Sequence, residues 1–418
     1  MHILIVTDQH PESLGGVQVV IRLQRDYLER LGHRVTIAAP ALHRPGYATA
    51  RANRGAYIDL PSRAITKDRE YGIAWPTART DRALAEALAD LPRVDLVHVQ
   101  GDFWGAMTGY RAARGLSAAT GRRVPVVHTM HNHVDEGTRA VTPFAPFAFA
   151  GLQAWRRLAL GAPRGPVSRE ARGAWRYLAE LAADADAVTA PSQHFATALE
   201  THGVAQRVLV TPNGVDDDAI ADVRARRRSP RERPRLVWLG RMSHEKRVLE
   251  FIDAIARSGI DADVSLHGAG LLLPRVEARI AELALADRVT VPGPVPYRDA
   301  LAAIHDADAL VQTSIGFETQ GMTPFEAAAL GTPTVFSDPE IADDVAVRPE
   351  WRVPEATVES LAATLERAVV EIAAAAAQGG GAAGGSGGDA VRVPAPEARR
   401  FLQSTQVAKL AELYESLV

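Results

Sequence analysis

The sequence contains no cysteine, and of its 47 basic residues only Lys67, Lys246 and Lys409 are lysines. The first absence excludes disulfides, thiolate metal sites and a cysteine nucleophile, and fits a reducing compartment. Nothing reads as a signal peptide, and no run of about 18 apolar residues is free of charge. A cytoplasmic protein is therefore expected, at most peripheral at the inner face of a membrane. A surplus of one charge sign is lacking too. The net charge is −3, so the basic surplus of a dedicated nucleic-acid binder is missing. The G-x-G-x-x-G spacing of a dinucleotide site is also absent, although Gly15-Gly16 lies between an apolar run and a helical pattern.

What is present is the composition of a globular protein: 418 residues, 47% hydrophobic and 23% charged, enough for two or three domains. Short apolar runs read as buried strands at His2–Val6, Val35–Ala39, Leu96–Val99, Val124–His128, Ala187–Ala190 and Val208–Thr211. A helix is expected from about Val17 to Leu31, ended by Gly32. A second series starts at Leu236–Leu239 and continues through Val264–His267, Val289–Val291, Ala309–Val311 and Thr334–Phe336. A helix from about Arg247 to Arg257 is interposed. Strands alternating with helices predict an α/β chain with two parallel-sheet domains facing a cleft. The Arg224–Arg235 stretch, with Arg226-Arg-Arg228, Pro230 and Pro234, reads as a solvated loop between domains. Ala373–Gly388 is almost all Ala and Gly, and its Gly-rich part is expected to be a mobile surface segment. Pro396–Leu417 reads as a terminal helix.

One stretch carries most of the chemistry. Glu318-Thr-Gln-Gly-Met-Thr-Pro-Phe-Glu326 places two carboxylates eight residues apart, with Gly321 and a helix start between them. It follows one strand and precedes another, where ligands of parallel sheets bind. The free amides of a helix N-terminus favour an anion. A purely structural reading also exists: Thr323 and Glu326 have capping-box spacing, Pro324 suits the first helical turn, and Gly331 suits the end.

Three further clusters lie at strand ends. Arg241 and Lys246, in Gly240-Arg-Met-Ser-His-Glu-Lys246, offer two cations able to neutralise a diphosphate, against a plain surface pair with Glu245. Lysine is so scarce here that Lys246 favours the first reading. His128, His131 and His133 invite a zinc reading, but they fall in a strand-to-loop passage without an H-E-x-x-H frame. A histidine at a strand's carboxyl end is better read as a hydrogen-bonding group near substrate. Asp216–Asp218 reads as a solvated turn, and Asp306 and Asp308 need no function. Phe144, Phe147, Phe149, Leu152 and Trp155, followed by Arg156-Arg157, read as a buried helix, with contact to a membrane surface as the alternative.

Taken together, these pieces resemble the retaining family-4 glycosyltransferases of the GT-B fold, in the family's order: Gly15-Gly16, His128-Thr, Pro191-Ser192, Pro212-Asn-Gly-Val-Asp216, Gly240-Arg241 with Lys246, Gly268-Ala-Gly270, and Glu318 to Glu326. The resemblance implies an acceptor-side Rossmann-like domain over 1–213 and a nucleotide-sugar-binding one over 214–395, with the 373–388 segment inside it. A C-terminal helix over 396–418 would cross back to the first domain. It implies transfer of a hexose, with retention and without metal or cofactor, from a UDP- or GDP-linked donor to an acceptor hydroxyl, lipid-linked or on a small metabolite. Glu318 would lie near the donor sugar and Glu326 at the ribose. The backbone of Gly321, Met322 and Thr323 would hold the diphosphate or sugar, and Arg241 and Lys246 the β-phosphate. His128 would contact the sugar near its anomeric centre, Gly16 would let a loop approach the phosphates, and Gly293-Pro-Val295 would flank the base. The usual family pattern has Gly-Phe-Gly around the first glutamate, and here only the later glycine is kept. With His128-Thr-Met, this variant looks more like the branch containing glycolipid-forming glucosyltransferases. The competing readings are a GT-B epimerase or phosphorylase, or a non-catalytic sugar-nucleotide binder.

Overall fold

The computed structural model describes residues 1–47, 55–228, 232–379 and 391–418. They form two compact units, Met1–Asn213 with Gln406–Val418, and Gly214–Thr405.

The first unit is built on β1 (His2–Thr7), β2 (Arg34–Pro40), β3 (Tyr57–Leu60), the small antiparallel pair β4 (Arg63–Ala64) and β5 (Gly72–Ile73), then β6 (Leu96–Gln100), β7 (Val126–Thr129), β8 (Ala187–Ala190) and β9 (Val208–Val210). Seven of these make a parallel sheet in the order β3-β2-β1-β6-β7-β8-β9. Its central strands are buried along their whole length, as parallel strands covered by helices on both faces must be. The two faces separate by strand alternation. Ile3, Ile5 and Ile37 pack with Ile21 and Leu28 of the Gly16–Arg30 helix and with Val407, Leu410 and Tyr414 near the C-terminus. Leu4, Val6, Val97 and Val99 pack on the opposite side with Met107 and Tyr110.

The second unit holds β10 (Arg235–Leu239), β11 (Asp263–His267), β12 (Val289–Gly293), β13 (Ala309–Gln312), β14 (Thr334–Phe336) and β15 (Glu350–Arg352). Their order, β12-β11-β10-β13-β14-β15, reverses direction between β10 and β13. The first sheet reverses in the same way between β1 and β6. These reversals are the switch points at which open parallel sheets take their ligands.

Several expectations change. The alanines from Ala373 are the end of a long helix, Val358–Gly379, because alanine is the strongest helix former and needs no separate core. The rest of that stretch, 380–388, lies outside the described residues, as does Pro230. The arginine-rich stretch sits within the second unit, and it is not simply solvated. Arg228 is nearly buried and donates to the carbonyl of Ala307 (2.9 Å) and to Asp308 (3.1 Å). Asp308 also receives the Arg235 amide at 2.9 Å, so Asp306 and Asp308 serve as structural anchors. The terminal helix is broken. Ala395–Ala398 and a 3-10 turn at Arg399–Phe401 precede Leu402, whose extended backbone separates them from the Gln403–Leu417 helix. Ala145–Leu160 is a helix with two characters. Phe149 and Arg156 are buried on one side, while Phe147 and Leu158 stand 77% and 86% exposed on the other. Among the described residues no helix is long and apolar enough to cross a membrane.

Candidate active site

In the second unit the loops after β10 and β13 meet across the switch point. Lys246 comes from the first loop, on a short 3-10 turn, and its ammonium is ion-paired with Glu318 from the second. The lysine side chain is 23% exposed and the glutamate 16%, so the pair is reachable from solvent without being freely solvated. Ser314 donates to the same Glu318 oxygen at 2.8 Å. The Lys246 loop is pinned from below: Thr313 donates to the Lys246 carbonyl, and Trp238 donates to the Thr313 hydroxyl at 2.8 Å. Glu245 instead receives Ser243, so the surface pair of Lys246 with Glu245 does not form. Arg241 is exposed in the same loop, and among the described residues no carboxylate lies within ion-pair distance of it.

The loops require close approach. Gly268, at φ 137°, lies so near β10 that a Cβ there would overlap the Gly240 carbonyl oxygen. This contact keeps the ends of β10 and β11 in register.

Glu318 leads into the Met322–Leu330 helix, whose N-cap is Gly321 in a left-handed conformation. No side chain caps it. Its first amides have no intrahelical acceptors, and those of Met322 and Thr323 remain donors at its start, where Pro324 has none. The capping-box reading therefore fails, because Thr323 lies inside the helix. Glu326 is buried and accepts from the Tyr297 hydroxyl at the start of the Tyr297–Asp306 helix. Burial pushes its carboxyl up to about 7, and the Tyr297 hydrogen bond opposes that rise.

The first unit has its own polar cluster at the β1/β6 switch point. Asp8, just past β1, accepts the amides of Asp102 (2.7 Å), Phe103 (3.1 Å) and Gly105 (2.7 Å), so it holds the N-terminus of the Trp104–Thr120 helix. Its carboxyl is pushed up to about 7, first by burial and then by the charge of Asp102. Burial acts on Asp102 as well, but the hydrogen bond and charge of His128, the charge of His131 and the Asn132 side chain outweigh it and hold its pKa below the usual range. Asp102 accepts the amides of His131 (3.0 Å) and Asn132 (2.9 Å) and the Asn132 side chain (2.7 Å).

The placement of His128 needs correction. It belongs to a strand covered on both faces and is fully buried. Its Nε2 lies 2.8 Å from the Gly101 carbonyl and 3.4 Å from Asp102, and its Nδ1 lies 2.9 Å from the Tyr110 hydroxyl. Both nitrogens are thus taken by the protein, and His128 braces the Asp102 loop rather than facing a ligand. His131, two residues beyond the strand, is the histidine with a nitrogen to spare. Nε2 donates to Gln100 Oε1 at 2.6 Å, leaving a lone pair on Nδ1. Burial lowers its pKa to about 4, so it is a neutral imidazole at pH 7. His133 caps the Val134–Val141 helix. Among the described residues no group of three or more His, Asp or Glu side chains is placed to hold a metal ion. Gly16 is exposed and a Cβ on it would meet nothing, whereas Gly15, at φ 143°, is the constrained one of the two.

Asp8, Asp102 and Tyr297 were missed in the sequence, and His131 was noticed there only as part of the histidine cluster. The Asp8 and Asp102 positions could have been found, since they lie one and two residues past a buried strand. Tyr297 had no local signal.

Two parallel α/β units, each with a polar cluster at its switch point, make up a GT-B fold. The chain belongs to the glycosyltransferase family described by two models, Glycosyltransferase Family 4 over residues 14–219 and Glycosyl transferases group 1 over 219–372. It is similar to an alpha-monoglucosyldiacylglycerol synthase of Streptococcus pneumoniae, 23% identical over 80% of this chain and 70% of that one. A 2-deoxystreptamine N-acetyl-D-glucosaminyltransferase of Streptomyces fradiae is 28% identical over 86% and 84%. Among solved structures, sucrose-phosphate synthase from Thermosynechococcus elongatus superposes with a TM-score of 0.68 at 19% identity, over 100% and 98% of the two chains. Anabaena HepE, in complex with UDP-glucose, gives 0.61 at 16% over the full length of both. These relatives are glycosyltransferases, not epimerases.

Proposed function

We propose that the chain moves a hexose from a nucleoside diphosphate sugar to an acceptor hydroxyl, with retention at the anomeric carbon and without a metal. The observation that carries this reading is the Lys246–Glu318 pair beside the uncapped Met322–Leu330 helix at a sheet switch point. Cation, carboxylate and free amides at one place suit a diphosphate attached to a polyol. Lys246 and Arg241 take the β-phosphate, the amides of Met322 and Thr323 assist, and Glu318 turns to the sugar hydroxyls. Glu326, aimed by Tyr297, accepts from the ribose. In the reaction the bond from the anomeric carbon to the phosphate oxygen breaks as the acceptor oxygen forms its own bond to that carbon. The acceptor proton passes to the departing phosphate. The protein supplies positioning and stabilises developing negative charge, which requires no protein nucleophile. His131, neutral and with a lone pair on Nδ1, accepts from a substrate hydroxyl bound at the first unit's own switch point.

The UDP-glucose complex of the neighbouring HepE supports UDP as the base-bearing leaving group. The named relatives include an alpha-monoglucosyldiacylglycerol synthase and a 2-deoxystreptamine N-acetyl-D-glucosaminyltransferase, so lipid-linked and small-molecule acceptors both stand as substrates to test.

Thermal-shift titration with UDP, GDP and ADP and their sugars tests the reading. UDP should raise the melting temperature, and Lys246→Ala should weaken UDP by at least tenfold. No shift with any of them at millimolar concentration would remove the donor-site assignment.

A further inference from the structure

At the amino-terminal end of the first sheet, opposite the switch-point loops, lies a cavity of about 480 Å³. It sits where the chain enters β7 and β8, and Tyr110, Arg114, Arg123, Arg164, Asp184 and Asp186 line it. The volume is within the ordinary range for small-molecule sites. Its charge is unbalanced. Three arginines face two aspartates, and a fourth cation, Arg156, stands fully buried behind Asp184.

The aspartates are already committed. Asp184 pairs with Arg156, receives Arg114 at 3.2 Å, and accepts the Arg164 amide at 3.2 Å. Asp186 pairs with Arg123 and accepts the Val126 amide at 2.7 Å. Arg123 keeps 79% of its side chain exposed, and its five donors exceed what Asp186 takes up. Arg164 is exposed, and among the described residues no carboxylate lies within ion-pair distance of its guanidinium. The pKa of Arg114 is lowered by burial and by the charges of Arg164 and Arg156, although Asp184 opposes this. Two formal positive charges are left over in a partly enclosed space, matching a phosphate dianion.

We propose that this cavity is a second anion site, separate from the donor loops, which takes the phosphate group of a small phosphorylated molecule. Arg123 and Arg164 grip the phosphate oxygens at the rim, while Arg114 and Arg156 supply the field from beneath. Tyr110 forms part of the wall. Its hydroxyl donates to the Leu181 carbonyl at 2.8 Å and contacts His128, so the cavity is one side chain away from the Asp102 cluster.

Inorganic phosphate is the probe, titrated by calorimetry into the wild type, Arg164→Ala, the Arg123→Ala/Arg164→Ala double variant and Lys246→Ala. Both substituted arginines are on the rim, and an unchanged melting temperature without phosphate confirms that each variant is folded. Should the double variant fail to fold, Arg164→Gln takes its place. The expected result is phosphate affinity reduced at least tenfold in the rim variants and unchanged in Lys246→Ala, with UDP affinity unchanged in the rim variants. Two results would overturn the site: no phosphate binding by the wild type at millimolar concentration, or binding that survives the rim variants. Phosphate lost only with Lys246→Ala would place the anion in the donor loops and likewise refute the second site.

Discussion

At the scale of single residues, Glu326 shows how burial and function compete. In the unfolded chain its carboxyl titrates near the ordinary glutamate value of 4.5, and burial in the fold pushes it up to about 7. The fold therefore favours the protonated form. Its contribution to stability is fully present below pH 4.5 and is lost as the pH rises through about 7. That difference amounts to about 3 kcal/mol. Glu326→Gln, which keeps an acceptor for Tyr297, should match the wild type in urea unfolding near pH 4 and exceed it by up to about 3 kcal/mol at pH 8. Asp8 titrates in the same range but is present in both proteins, so its contribution cancels. The same variant should bind UDP more weakly, because a neutral amide is a poorer acceptor for ribose hydroxyls. Equal stabilities at pH 8 would show that the carboxylate is not destabilised by burial. His131 gives a second prediction at this scale. Because its pKa lies near 4, activity should not fall as the pH drops from 7 to 6 through protonation of this residue. His131→Ala should lower kcat/KM by about 100-fold, within the range for a positioned polar group, while UDP affinity stays unchanged. Full activity in that variant would leave His131 as a loop brace like His128.

At the scale of elements, the critical contact is where β10 and β11 end. Gly268→Ala must displace either the Gly240 carbonyl or its own strand end, and it also carries a positive φ. It should destabilise the second unit by about 1–3 kcal/mol, as overpacking does. It should also weaken UDP, because Lys246 follows Gly240 in the displaced loop; chemical denaturation and UDP titration together check this. Much at this level could be read directly from sequence. The central strands are contiguous apolar runs, since parallel strands covered on both faces admit nothing else. The edge strands Tyr57–Leu60 and Glu350–Arg352 could not, because they are short and alternate with exposed or charged residues. Composition marked 373–388 as a flexible Ala/Gly segment and gave no helix there, while the alanines of 373–379 continue the helix that begins at Val358. The Glu318–Glu326 motif stood out because its chemistry is local in sequence. The Glu326–Tyr297 and Asp8–Asp102 pairs did not, because only tertiary folding brings their members together. His128 misled for a related reason: a histidine inside an apolar strand reads as a strand-end group until the bonds of both nitrogens are seen.

At the scale of the whole molecule, the same device occurs twice. In each unit a polar link joins the two loops that flank the strand reversal, Asp8 to the Asp102–Gly105 amides in one and Lys246 to Glu318 in the other. Each unit also has its own two-faced core, so ligand energy should be read out locally. All residues assigned to the nucleotide lie in Gly214–Thr405. At a UDP concentration of about 100 times its Kd, linkage adds about 2.7 kcal/mol to the unit that holds it. For amides that exchange only when that unit unfolds, this means about 100-fold slower hydrogen exchange. Mass-spectrometric exchange should therefore show slowing in peptides covering Leu236–Lys246, Ala309–Glu318 and Met322–Leu330. Peptides from β1 and β6 should change far less. Protection confined to β1, β6 and the His128–His133 segment would put the nucleotide in the first unit and reverse the roles assigned to the two switch points.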